Sequence, residues 1–134
     1  MIDLISLPPG LREAAQQEAA ACVADVSGVT ASVVATVDGF DVASAFRGAH
    51  DAARIAAIAS SISAISNVVS LEAQLGNFKS VTINTDAGFV IVHAVQRPDV
   101  ELVINVIADG SAILAQAMHR LGIMAKVLAA VPVA

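Results

Sequence analysis

The spacing of apolar positions along the chain switches between helical and strand periods, and each switch marks a new element. Leu11, Ala15, Ala19, Cys22, Val23 and Val26 recur at near-helical spacing. Arg12, Glu13, Gln16, Gln17 and Asp25 fill the solvent side between them. This predicts a helix that begins after Pro8, Pro9 and Gly10 and is stopped by Gly28. The period then falls to two. Val29, Ala31, Val33, Ala35 and Val37 alternate with Thr30, Ser32, Val34 and Thr36, which predicts a strand. Asp38-Gly39 is a hairpin signal, and Val42 to Phe46 is the returning strand.

Helical spacing returns after His50. Asp51 stands in the first turn, where an acid is favourable against the helix dipole, and Gly76 is the expected stop. Phe78 to Asn84 and Phe89 to Val95 read as a second hairpin around Asp86-Ala87-Gly88. Arg97-Pro98-Asp99 is a loop, Glu101 to Ala108 a fifth strand, and Asp109-Gly110-Ser111 a turn with an N-cap. Ile113 to Leu128 is the last helix, with an early break at Gly122 as the alternative. The expected division is a tail over 1–10, one domain over 11–128 and a short tail over 129–134. The order α-β-β-α-β-β-β-α, with strands joined by tight turns, predicts an α/β (α+β) domain. Its five-stranded antiparallel sheet carries helices on both faces.

The central helix is the unusual element. No charge occurs between Arg54 and Glu72. The uncharged window from Ile55 to Leu71 is shorter than the ~20 apolar residues of a membrane span and holds several serines and an asparagine, so a span is not expected. Ile55, Ile58, Ile62, Ile65 and Val69 form one stripe, and Ala53, Ala57, Ala64, Val68, Leu71 and Leu75 another. One face must pack on the sheet. The other meets another protein if the first and last helices occupy the far side of the sheet. The spacing does not say which stripe takes which role.

Composition narrows the function. The 134 residues are 57% hydrophobic and 14% charged, with a mean hydropathy of +0.77. Apolar surface in such excess suggests burial in an oligomer. The net charge is −5, and the basic residues are scattered singly with no Tyr or Trp, which argues against nucleic acid and against an anionic membrane surface. Asp3 and the Pro8-Pro9 interruption make the start unlike a secretory signal, so a cytoplasmic location is expected. The single cysteine, Cys22, excludes an internal disulfide and a cysteine-rich metal site. His50, His93 and His119 sit in different elements with no ligand spacing. No nucleophile elbow, Walker loop or dinucleotide fingerprint is present, and turn formation explains Asp38 beside Asp41. The expectation is a binding protein: not an enzyme, with no catalytic residues, cofactor or metal.

Three segments, "VSGVTASVVATVDGFDVAS", "FKSVTINTDAGFVIVHAV" and "ELVINVIADGSAILAQAMHRL", together with the element order, resemble the roadblock/dynein light chain domain family, in particular its bacterial, MglB-like members. Gly28, Val29, Val34, Asp38 and Gly39 match the family's entry into the first hairpin, and Gly88-Phe89 its glycine–aromatic pair. Asp109-Gly110-Ser111 departs from the Asn-Leu-Gly-like residues of many relatives. The resemblance implies a profilin-like fold and a non-catalytic homodimeric scaffold. Its third strands would join edge to edge and its central helices pack across the two-fold. The interface residues so implied are Ala57, Ile58, Ser61, Ile62, Ile65, Val69, Phe78, Lys79, Val81 and Ile83. Ser60, Ser61, Ser63, Ser66 and Asn67 would form the platform surface. The implied partner is a Ras-like small GTPase or one of its signalling partners. The alternative is a small-ligand sensor of profilin-like or PAS-like type, which requires a cavity between sheet and helix.

Overall fold

The alternation that begins at Val29 becomes an interior strand of a five-stranded sheet. The computed structural model describes residues 7–133, so the expectations for residues 1–6 and 134 lie outside the described residues. The elements are α1 (Leu11–Asp25), β1 (Val29–Thr36), β2 (Asp41–Phe46), α2 (Ala52–Glu72), β3 (Ser80–Thr85), β4 (Gly88–Val95), β5 (Leu102–Asp109) and α3 (Leu114–Ala130). The sheet runs β2-β1-β5-β4-β3, and every neighbouring pair is antiparallel. The predicted order and fold class stand.

The helices divide unequally between the faces. Leu11, Ala15, Ala19 and Cys22 of α1 and Ala117, Leu121, Met124 and Leu128 of α3 share one core with Val34, Ile91, Leu102, Ile104 and Val106. Burying each of the larger side chains contributes roughly 1.5–3 kcal/mol, so most of the stabilisation lies on this face. α2 lies alone on the other face. Its Ile55 and Ala56 meet Ala31, Val33 and Ala35, and its Ala59 meets Val92 and Val103. β1 is therefore covered on both sides, which is why Ser32 and Thr36, polar members of its alternation, are fully buried. The Arg120 guanidinium ties α3 to α1 through Glu18 at 3.0 Å and Asp25 at 3.8 Å.

Several boundaries differ from the sequence reading. β3 begins at Ser80, so Phe78 and Lys79 precede the strand. Ser111 does not cap α3. Its N–H and hydroxyl both donate to the Asp109 carboxylate in a local turn, and the N-cap is Ile113. α3 runs unbroken through Gly122 to Ala130, two residues into the expected tail. Leu7 packs on the core and Pro8 is buried, so the ends of the domain extend past 11 and 128.

α2 stops at Glu72, four residues before the predicted stop at Gly76. The Leu75 N–H donates to the Ser70 carbonyl and the Gln74 N–H to the Leu71 carbonyl, a Schellman motif with Gln74 at φ 61 in the left-handed position. A side chain there costs about 1 kcal/mol relative to glycine. Gln74→Gly is therefore expected to raise stability by about 0.5–1 kcal/mol, the flexibility added to the unfolded chain offsetting part of the gain. Urea unfolding checks it: the midpoint should rise with the slope unchanged. A lowered midpoint would contradict the assigned motif.

Candidate functional site

Apart from Ile55, the sheet holds α2 by small side chains. Its buried residues are Ile55, Ala56, Ala59 and Ser63, and none beyond Ser63 is buried. The Ser60 hydroxyl donates to the Val37 carbonyl, and Ser66, Asn67 and Ser70 are half-buried on the same side. The two apolar stripes read from the sequence therefore do not divide into an inner and an outer face. A third strip, of Ala, Ser and Asn, takes the sheet and leaves most of both stripes outside.

Five of the expected interface residues, Ala57, Ile58, Ser61, Ile65 and Val69, lie exposed on this outward face. Val68 and Leu71, which the sequence placed on the second stripe, join them there. Ile65 is 66% exposed and Val69 62%, values far from those of an ordinary apolar helix position. Ile62 is only half-buried and packs toward Ala59, Val92 and Val103. The serine platform needs correction. Ser61 is exposed, but Ser63 is 92% buried against the sheet because small residues let the helix approach closely. Ser60, Ser66 and Asn67 are half-buried. The signal for this was present: Ala56, Ala59, Ser63, Ser66 and Ser70 recur at three and four.

The strand residues extend the same surface. The register Val81↔Val92 and Ile83↔Val90 places Val81 and Ile83 on the α2 side of the sheet. Thr82 opposes Ile91, and Ser80 opposes His93, on the α3 side. β3 is thus apolar toward α2 and polar toward α3. Phe78 is half-buried and lines a small cavity with Ser63, Asn67 and Ala94. Lys79 is exposed.

The two sheet edges are treated differently. At the outer edge of β2, the Gln16 side chain of α1 donates its amide to the Ser44 carbonyl at 2.9 Å and accepts from the Ser44 N–H at 3.3 Å. One side chain thereby occupies the backbone positions that a further strand would use. Among the described residues, no side chain does the same for β3.

The titratable groups are dispersed. Among the described residues no three His, Cys, Asp or Glu side chains come together. His50 lies 5.3 Å from the Phe46 ring. The His93 Nδ1 donates to the Ala94 carbonyl at 2.8 Å. Burial pushes the Cys22 thiol up from its ordinary value. The Ser111 hydroxyl and N–H hold the Asp109 carboxyl below the usual range. The cavity between α2 and the sheet measures about 50 Å³, room for a water rather than a metabolite. α2 spans 21 residues and is long and apolar enough by composition to cross a bilayer, so the sequence argument from length alone does not hold. In this fold it is packed on the sheet.

Comparison with known proteins gives a consistent picture. The sequence model of the Roadblock/LC7 domain matches residues 16–108. No curated protein matches the sequence. The fold is similar to a Roadblock/LC7 domain from Streptomyces avermitilis, with 18% identity and a TM-score of 0.75 over 83% of this chain and 91% of that one. It is similar to MglB from Myxococcus xanthus, with 13% identity and a TM-score of 0.77 over 88% and 86%. It is also similar to the gliding protein MglB from Thermus thermophilus, with 12% identity and a TM-score of 0.80 over 92% and 91%.

Proposed function

Because this chain belongs to the Roadblock/LC7 domain family, we propose that it works as a homodimeric, non-catalytic platform for a Ras-like small GTPase or that GTPase's signalling partners. The observation that carries the reading is the outward face of α2, apolar along its length and uncovered by any element among the described residues. Its charge pattern favours a second copy as occupant. Arg54 and Glu72 stand 18 residues apart, five turns at about 3.6 residues per turn, and so share one face. Both are exposed, and Ser63 lies midway between them. Antiparallel packing of the outward faces, about a two-fold level with Ser63 along the helix axis but on the opposite side of the helix, would set Arg54 against the partner subunit's Glu72 at each end of an uncharged seam. β3, with its unoccupied edge and with Val81 and Ile83 on the same side, is the strand that would continue the sheet.

Light scattering after gel filtration tests the assembly. The wild type is expected at twice 13.5 kDa. Ile65→Glu should weaken association at least ~30-fold, because a buried interface anchor is typically worth 2 kcal/mol or more. Met118→Glu, on exposed α3, is the control expected to stay dimeric. A dimeric Ile65→Glu protein would remove α2 from the interface. The partner reading is tested by passing a lysate of the source organism over the immobilised protein with GDP and with a non-hydrolysable GTP analogue. Nucleotide-dependent retention of a small GTPase is expected. Retention of other proteins regardless of nucleotide would leave the scaffold and discard the GTPase.

A further inference from the structure

The fold brings the chain's two lysines to one place. Lys79 precedes β3 and Lys126 lies on α3, far apart in sequence, yet both line an open groove of about 490 Å³. His93, Asn77 and Gln96 line it too, and its apolar wall is built from Phe78, Val95, Gly122, Ala125 and Ala129. Among the described residues no carboxylate lines it. Among the described residues neither lysine has an ion-pair partner, whereas Arg97 and Arg120 are both paired. In a protein of net charge −5, this basic groove thus has no acid among the described residues that line it. The His93 Nδ1 carries a proton, since it faces a carbonyl, and this leaves Nε2 as the unengaged ring nitrogen.

We propose that this groove binds a short acidic segment of a partner protein in extended conformation, its carboxylates meeting Lys79 and Lys126. The α3 wall from Gly122 to Ala129 is about 10 Å long at 1.5 Å per residue, the length of about three extended residues. Its small side chains admit a backbone closely, and the space in front of Gly122 is open: a Cβ there meets nothing within 4 Å. α3 presents its carbonyl half here, and the partial negative charge of that end opposes the double charge of a phosphate more strongly than the single charge of a carboxylate.

The test is a titration of the ¹⁵N-labelled protein with acetyl-Glu-Ala-Glu-Ala-Glu-amide at low salt, followed by amide shifts. Lys79, His93, Gly122, Lys126 and their neighbours should move and saturate. The matching glutamine peptide should bind at least tenfold more weakly, and raising the salt should weaken the acidic one. Lys126→Glu and Gly122→Leu should each reduce affinity at least tenfold. Gly122→Leu fills the groove on a helix position that tolerates a larger residue, so folding is retained. Absence of shifts, equal binding of the glutamine peptide, or shifts confined to α2 would overturn the proposal. So would inorganic phosphate occupying the groove more tightly than the peptide. Gel filtration of the same samples reports the α2 assembly separately, so either reading can fail alone.

Discussion

Gly28→Ala is expected to destabilise the protein by about 3–5 kcal/mol, a large part of the 5–15 kcal/mol that holds a domain of this size together. Two costs combine. Gly28 has φ +88, where a side chain costs roughly 1–2 kcal/mol. A Cβ there would also stand 2.5 Å from the Ala112 nitrogen and 2.7 Å from its Cα. Those are backbone atoms, held where β5 passes into α3. The Gly28 carbonyl accepts from the Asp109 N–H at 2.9 Å, and Asp109 accepts in turn from Ala112 at 3.1 Å. Room made at Gly28 therefore shifts the start of the last helix. Gly48→Ala separates the two costs, since Gly48 has φ +89 and nothing within 4 Å. Thermal unfolding should put Gly28→Ala about 10 °C or more below wild type and Gly48→Ala only a few degrees below. Equal losses would mean that the contact with Ala112 yields without cost.

Arg97→Met should cost a comparable amount, about 3–5 kcal/mol, as removal of one member of a buried ion pair typically does. The Arg97 side chain is fully buried. It donates to the Asp99 carboxylate at 2.8 and 2.9 Å and to the Leu128 and Val131 carbonyls at 2.7 Å each. Those carbonyls belong to the end of α3, which has no basic residue in its last turn. Arg97 thus completes a helix terminus from a distant loop. Hydrogen exchange should reveal the loss first in the last turn of α3, while α1 stays protected. The ion pair also carries a pH signature. The Arg97 guanidinium, with help from the Val100 N–H, holds the Asp99 carboxyl below its ordinary value. A lowered folded value stabilises the protein above the ordinary carboxylate range, and that contribution is lost as pH falls through it. Acid destabilisation below about pH 4 should therefore be shallower in Arg97→Met than in wild type. Parallel acid profiles would assign the dependence to other carboxylates.

Where a single element determines its own shape, the sequence was readable. The positions assigned to the buried face of α1 are buried, and the order of strands and helices follows from the alternation and the turns. Contacts that close over long separations were not. The clasp of Arg97 on Leu128 and Val131 has no local spacing to announce it, and Arg97 read as one scattered cation among seven. The stop of α2 was misplaced because glycine is the usual left-handed residue, and here Gln74 takes the position two residues ahead of Gly76. The site was legible as a helix with surplus apolar surface. Its orientation was not, because isoleucine gives the stronger signal while the sheet accepts the Ala and Ser strip that permits close approach. The gathering of both lysines at one groove depends on how α3 lies beside β3 and β4, which no helical or strand period encodes.

The clip of Gln16 on Ser44 bears on the arithmetic of growth. A sheet with two live edges behaves as a bifunctional monomer: each addition regenerates an end, and the product is a chain without fixed length. Blocking one edge makes the unit monofunctional. Two such units consume each other's only reactive end, and the reaction terminates at the pair. In the proposed dimer, a single amide on α1, remote from β3 in both sequence and space, would act as the chain stopper.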